Sequence, residues 1–493
     1  MSKELFEIPI DWVWSTMDDI ADVIGGGTPM TKDPTNFDGG TIPWLTPADL
    51  SGYTAKHIGH GKRNITKKGL NTSSARMMPA GSVLFTSRAP IGYVAIAIND
   101  ICTNQGFKSF ILKSNDIIPD YVYWWIKGNK NLAESYASGT TFLELSGAKA
   151  KQIPIPIAPL DQQKRIVTEI EKQFSRLDEA VANLKRVKAN LKRYKTAVLK
   201  AAVEGCLVET EAELARRKGR SYETGTQLLK RILETRRRQW LACTDQRKAG
   251  RKSKGKYKEP AAPDTADLPE LPEGWVWAKF EQVTERVTKG SSPNWQGFDY
   301  CDKGIPFVRS QNVGWGVTDL TDIAFLSPAF NEVEKKSVLR EGDVLLNIVG
   351  ASIGRAAIAP NTVDGGNVNQ AVAVIRLLGF GVSNHFVLLY LLSAQTQRRI
   401  HSEKVDVARA NYSLEDIREM PLALPPEGEQ QRIADEVDRR LSLVCEIETQ
   451  VDANLQRAER LRQSILKKAF SGQLAANSEP DTEVAILLKG MGT

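Results

Sequence analysis

Residues 153–167 read IPIPIAPLDQQKRIV, and residues 420–434 read MPLALPPEGEQQRIA. Arg165-Ile166 corresponds to Arg432-Ile433, an offset of 432 − 165 = 267. The offset continues without a gap through Leu199-Lys200 and Leu466-Lys467 to Gly205 and Gly472. A shared register of this length identifies an internal duplication, and its size means two copies of a domain rather than a solenoid. Beyond the prolines the apolar residues fall at three- and four-residue steps: Ile166, Ile170, Phe174, Leu177, Val181, Leu184, Leu191, Tyr194 and Val198, then Ile433, Val437, Leu441, Val444, Val451, Leu455, Ala458, Leu461 and Ile465. That is the period of a helix with one apolar seam. No proline interrupts 160–207 or 427–478; Pro159 and Pro425-Pro426 are start signals, and Gly205 and Gly472 are stops. The spacing predicts two helices of roughly 45 residues, ~65–70 Å long at ~1.5 Å per residue. So narrow a seam needs a partner. The expected partner is the other copy, packed antiparallel; pairing between two chains is the alternative.

Upstream of each helix the two copies keep one internal order. Each opens on a tryptophan pair, Trp12 and Trp14 in DWVW, Trp275 and Trp277 in GWVW. An Ile-Pro-aromatic entry follows, TIPWLTPADL at 41–50 and GIPFVRSQNV at 304–313, where the offset is 306 − 43 = 263. Next stand GSVLFTSRAPIGYVAI (81–96) and GDVLLNIVGASIGRAAI (342–358), then CTNQGFKSFIL and GNVNQAVAVIRL. Short β-branched runs broken by Gly and Pro predict strands and turns. The drifting offset places small insertions in loops, which vary while a scaffold stays fixed.

The chain has 493 residues, 41% of them hydrophobic, too long for one core and ordinary for a globular protein of two or more domains. Its longest apolar run, FVLLYLL at 386–392, falls short of the ~20 residues of a membrane span. MSKELFEIPI has no basic-then-apolar leader pattern, and the five cysteines form no C-x-x-C pair. A cytoplasmic protein with reduced thiols is expected. Net charge is +7, unevenly spread: between Arg216 and Lys258 sixteen Lys and Arg face three acids, so the stretch carries 16 − 3 = +13 and the remainder 7 − 13 = −6. Such a segment meets a polyanion or is a solvated linker. A helix is expected near 223–242, followed by a Pro/Ala/Asp-rich linker.

Signals for catalysis are weak. His57 and His60 lack a third ligand, IGGGTP lacks the spacing of a phosphate loop, and Glu334-Lys335-Lys336 is a triplet expected by chance among so many charges. No Asn-Pro-Pro-aromatic tetrapeptide of an amino-methyltransferase occurs. We therefore expect no catalytic residue, no metal and no cofactor in this chain. The loops are instead rich in groups that match base edges and phosphates. In the first copy these are Thr46, Ser87, Arg88, Asn104, Gln105, Lys108, Thr140 and Thr141. In the second they are Arg309, Gln311, Asn312, Asn347, Arg355, Asn369, Gln370, Arg409 and Asn411. Each alone reads equally as a turn or capping residue. Together, at matching places with different chemistry, they suggest two DNA readers on one scaffold.

With its WVW openings, IPWLTPADL, SGTTFLELS before IPIPIAPLDQQKRIV, LKAAVEGCLV echoed by ILKKAFSGQL, and KYKEPAAPDTADLPELPEGWVW, the chain resembles the specificity (S) subunit of a type I restriction–modification enzyme along essentially its whole length. The resemblance implies an α/β fold: two similar α/β target-recognition domains separated by two long antiparallel helices in a coiled coil, a pseudo-two-fold repeat. The expected segments are residues 1–152, the first recognition domain; 153–208, the first long helix; 209–270, the basic central region and linker; 271–419, the second recognition domain; 420–478, the second long helix; and 479–493, a tail. It implies double-stranded DNA with a bipartite target, two methyltransferase (M) subunits and two restriction (R) subunits as partners, and no membrane. S-adenosylmethionine, ATP and Mg are then expected on those partners. A sequence-nonspecific basic scaffold and a self-sufficient DNA methyltransferase remain the alternatives.

Overall fold

A computed structural model describes residues 6–139, 143–248, 257–402 and 411–474. Thr140, Thr141 and Arg409 lie outside the described residues. The chain divides into two compact units, residues 1–187 with 450–493, and residues 188–449. Each unit contains one α/β domain and part of both long helices. Among the described residues no helix is long and apolar enough to cross a membrane.

In each unit the tryptophan-pair strand closes the domain by pairing antiparallel with the proline-rich strand that leads into a long helix. Val13–Thr16 pairs with Pro154–Ile157, Trp14 opposite Pro156. Val276–Lys279 pairs with Pro421–Leu424, Trp277 opposite Ala423. Both ribbons are two-stranded. Alternate prolines are tolerated there because an edge position asks no ladder donor of them. The tryptophans explain why the opening is written twice. Trp12 Nε1 donates to Gln162 Oε1 at 2.8 Å and Trp275 Nε1 to Glu429 Oε1 at 2.8 Å, each in the first turn of a long helix. Trp14 Nε1 reaches back to the Phe6 carbonyl at 3.3 Å, and Trp277 Nε1 to that of Pro269 at 3.1 Å.

The main sheet of the first unit runs Ala21–Gly25, Lys108–Leu112, Val83–Ser87, Ile91–Ala97, His57–Ile58, antiparallel except for its last pair. Its counterpart in the second unit runs Thr284–Lys289, Val372–Leu377, Val344–Asn347, Ala356–Ile358. A three-stranded sheet accompanies each, centred on Ile42–Leu45 and on Ile305–Val308.

The long helices are Leu160–Val203 and Glu427–Phe470, 44 residues each. In the first unit the buried seam residues Ile166, Ile170, Phe174 and Leu177 share a core with Ala458, Leu461, Ile465 and Phe470. The helix Pro119–Gly128 caps that core: the rings of Tyr121 and Trp125 each meet Phe470 edge-on at 5.1 Å. In the second unit Val198 and Ala202 share a core with Ile433, Val437, Phe386 and Leu389. Asp178 pairs with Arg462, while Lys195 Nζ meets Glu448 at 2.6 Å. Partner numbers fall as helix numbers rise, so the pair is antiparallel. Tyr194, a seam residue by its spacing, is 42% exposed. A 3.6-residue helix drifts away from a fixed three- and four-residue pattern over several turns. Gly205 and Gly472 end the helices with φ of +70° and +79°. A Cβ at either would also overlap a proline ring, Pro272 for the first and Pro9 for the second.

In the central region the helix expected near 223–242 runs Gly225–Lys248, and a shorter helix that the spacing did not predict precedes it. Gly225–Lys248 packs into the core of the second unit through buried Leu228 and Ile232, and the helix Glu211–Lys218 is tied to the second long helix by Glu211, whose carboxylate meets Arg432 at 2.6 Å and whose N–H donates to Glu429 at 2.8 Å. Most of its described arginines are engaged there. Arg216 meets Glu273 at 2.6 Å, Arg217 meets Glu209 at 2.5 Å, and Arg231 meets Glu223 at 2.8 Å and Glu427 at 3.0 Å. Arg236 donates to the carbonyls of Glu281 (2.8 Å) and Thr284. Glu209, Glu273 and Glu427 lie outside the counted stretch 216–258, so a charge count over that stretch alone misses them.

Candidate nucleic-acid interface

In the first unit the candidate base readers converge because backbone bonds tie their loops together. Asn104 N–H donates to the Leu45 carbonyl (2.8 Å), next to Thr46. Ser87 N–H donates to the Gly106 carbonyl (2.7 Å), and Gly27 N–H to the Thr103 carbonyl (2.9 Å). Thr46 caps the short turn Pro47–Leu50, its hydroxyl donating to Asp49 Oδ2 at 2.7 Å. Burial works against the Asp49 charge, but N–H donors from Lys62 and Thr46 outweigh it and hold the carboxyl below its ordinary value. Asn104 Oδ1 accepts from Gly106 N–H at 2.9 Å, a local turn bond. Ser87 is fully buried. Gln105 is exposed and bonded to Thr28. Arg88 Nη1 reaches Glu144 Oε2 at 3.4 Å. Burial depresses the Lys108 ammonium, opposed by Glu144 and reinforced by Arg88.

The second unit repeats the frame. Asn369 N–H donates to the Val308 carbonyl (3.0 Å), next to Arg309. Arg309 N–H donates to Asn312 Oδ1 at 2.9 Å, the bond that Thr46 and Asp49 make 263 residues earlier. Asn312 Nδ2 also holds the Asp319 carbonyl at 2.9 Å. Asn347 Nδ2 donates to the Ser310 carbonyl at 2.8 Å, and its backbone N–H to the Arg355 carbonyl at 2.8 Å. Asn369 Oδ1 accepts from Ala371 N–H at 3.2 Å. Asn411 is bridged to Val349, one residue beyond Ile348, whose N–H donates to the Ala371 carbonyl. Asp322, which sequence reasoning did not single out, organises the outer face. It meets Arg309 at 3.1 Å and accepts from Gln311 Nε2 at 2.7 Å. Its spacing from Arg309 carries no local pattern that would have revealed it.

Apart from the fully buried Ser87, the candidates among the described residues fall into two sets. Thr46, Asn104, Asn312, Asn347 and Asn369 spend side-chain groups on neighbouring backbone or caps, and shape the loops. Gln105, Arg88, Lys108, Arg309, Gln311, Arg355, Gln370 and Asn411 lie partly or fully exposed on the surface of those loops. A surface that presents amide and guanidinium donors suits hydrogen bonding to base edges and phosphates.

The architecture defines a chain built for recognition, with one such loop cluster per unit. The family described as the type I restriction modification DNA specificity domain matches residues 9–193 and again 272–457, and this chain belongs to it. Among its relatives, the EcoKI specificity subunit of Escherichia coli K12 is 23% identical over 487 residues, covering 95% of this chain and 90% of that one. The MjaIX specificity subunit of Methanocaldococcus jannaschii is 41% identical over 186 residues. That match takes in 37% of this chain and 41% of the relative's length. Among solved structures, the HsdS subunit of Thermoanaerobacter tengcongensis superposes with a TM-score of 0.54 at 18% identity, covering 96% of this chain and all of that one. A chain from a structural study of complex assembly and conformational transition of the type I R-M system gives 0.62, also at 18% identity, covering 95% and 100%.

Proposed function

We propose that this chain reads a bipartite DNA site, one half per unit, and directs adenine methylation or restriction by partner subunits that carry the catalytic centres. The observation that carries the reading is the pair of matched loop clusters, built on the same backbone ties but with different outward chemistry. One copy offers Gln105, Arg88 and Lys108; the other offers Arg309, Gln311, Arg355, Gln370 and Asn411. Equal frames with unequal side chains suit two different half-sites. The duplicated helices offer two equivalent surfaces, which suits two identical methyltransferase subunits. Restriction subunits, S-adenosylmethionine, ATP and Mg belong to the rest of that assembly. The long helices then act as the spacer between readers.

The test is methylation mapping. A genome carrying this system should show N6-methyladenine at a two-part motif. Replacing residues 1–150 with the same part of a relative should change one half of the motif and leave the other. A hybrid that alters both halves, or methylation without a two-part motif, refutes the reading.

A further inference from the structure

In both units one loop leaves the main sheet and passes hard against the Asn-Gln turn at the centre of the candidate interface. In the first unit it follows strand Ala21–Gly25, and in the second it follows Thr284–Lys289. A Cβ on Gly26 would overlap the Asn104 carbonyl, and one on Gly290 would overlap the Val368 carbonyl, next to Asn369. Glycine is therefore required at both exits, and each loop is seated on its turn. Beyond it each loop carries a proline, Pro29 or Pro293, and then a large apolar side chain turned to solvent. Met30 is 71% exposed and Trp295 is 82% exposed.

Neither loop is slack. The Met30 carbonyl accepts from Asn36 Nδ2 at 3.1 Å and from Asp33 N–H at 3.2 Å, and the Gly27 carbonyl accepts from the buried Trp44 indole at 2.9 Å. On the other side, Phe298 N–H closes onto the Pro293 carbonyl at 3.0 Å, Gln296 Nε2 donates to Glu334 at 3.1 Å, and Phe298 packs on Phe330 at 5.4 Å. Rigid backbone thus presents an apolar group that finds no covering side chain among the described residues. Exposed apolar residues scattered singly are ordinary. Here one stands in the corresponding loop of each copy, one residue beyond Pro29 and two beyond Pro293, on a loop seated against the turn that offers Gln105 or Gln370.

We propose that Met30 and Trp295 are apolar fingers that press into the duplex, one per half-site, stacking on or wedging into a base step beside the residues that read it. Apolar side chains used in this way unstack a step and bend the helix. Such distortion suits a complex whose partner must take its adenine out of the stack. The inference rests on the functional reading above. The different shapes of a thioether chain and an indole make the two half-sites differ in the step they favour.

The chain is purified with its methyltransferase subunits, and Kd is measured for a duplex bearing the mapped site and for a scrambled duplex. Trp295→Ala weakens the mapped duplex about 10- to 100-fold, the range of one lost base–aromatic contact. Met30→Ala has a smaller effect in the same direction. The scrambled duplex and the salt slope stay unchanged, because no phosphate contact is removed. Trp295→Phe recovers most of the affinity, since a ring remains. Variants that match wild type on the mapped duplex overturn the fingers and leave the functional reading intact. A wild-type complex that binds both duplexes equally overturns both. A Trp295→Ala chain that folds but loses its methyltransferase subunits assigns the residue to a protein interface and overturns the proposal.

Discussion

Replacing Asp343 by Leu should open the second unit and leave the first intact. Arg376 lies on the strand Val372–Leu377, with side-chain exposure of 8% against 2% for Asp343. Its Nε donates to Asp343 Oδ1 at 2.8 Å and its Nη2 to Oδ2 at 2.6 Å, with a further bond to the Val338 carbonyl at 2.9 Å. Asp343 also accepts from Arg340 N–H at 2.8 Å. Removing the carboxylate leaves a buried guanidinium with one carbonyl for company. Both groups are more than nine-tenths buried, so water screens little of the loss, and the cost is about 3–5 kcal/mol. At ~1.4 kcal/mol per factor of ten, amide protection in Val344–Asn347 and Val372–Leu377 should fall by roughly two to three and a half orders of magnitude. Protection in Val83–Ser87 and Lys108–Leu112 should not change, because the cores of the two units are separate clusters. Asp343→Leu combined with Arg376→Leu should recover most of the loss, since an apolar pair replaces the ionic one. Native-state hydrogen exchange reads both outcomes. Equal loss of protection in both units, or a double variant as damaged as the single, refutes the reasoning.

Glu429→Gln should change the pH dependence of melting. Burial pushes the Glu429 carboxyl above its ordinary 4.5, so its contribution to stability is largest below that value and falls as pH rises through the folded-state value. Wild type should therefore lose ground to the variant as melting is repeated from about pH 4 to about pH 7, and a constant difference would sink the argument. In the basic helix Gly225–Lys248, Arg236→Gln should lower the melting temperature by removing bonds to the Glu281 and Thr284 carbonyls, while Arg237→Gln with Arg238→Gln should not; equal effects of the two changes would count against that division. If the helix nonetheless touches phosphates, the Arg237/Arg238 pair should weaken all DNA equally and flatten the salt dependence of binding. One heptad added to both long helices, near Ala189 and Gln456, adds ~10 Å at ~1.5 Å per residue, or roughly three base pairs. Methylation mapping should show loss of the original site and weak modification at a longer spacer, and an unchanged spacer would show that these helices do not set it.

Features with local causes could be read in advance. A helix reports itself through side-chain spacing along one segment, so both 44-residue helices were visible, as were the prolines before them and the glycines after them. The duplication was visible because both copies keep the same local needs: a Trp pair, an Ile-Pro strand, a strand-turn-strand block. The role of each tryptophan was not visible. Trp12 finds Gln162 and Trp275 finds Glu429 across about 150 residues, and only the closed domain brings them together. The same holds for the central basic run. Its charges are local, but two of the acids that pair with them, Glu273 with Arg216 and Glu427 with Arg231, come from outside the run, 57 and 196 residues along the chain. Among the candidate base readers, residue type alone named Asn and Arg without telling scaffold from surface. Asn312 and Asn347 turned out to hold loop backbone, whereas Gln311 and Gln370 lie outward. Side-chain chemistry is written in the sequence; the direction in which an amide points depends on carbonyls that only the tertiary fold brings within 3 Å.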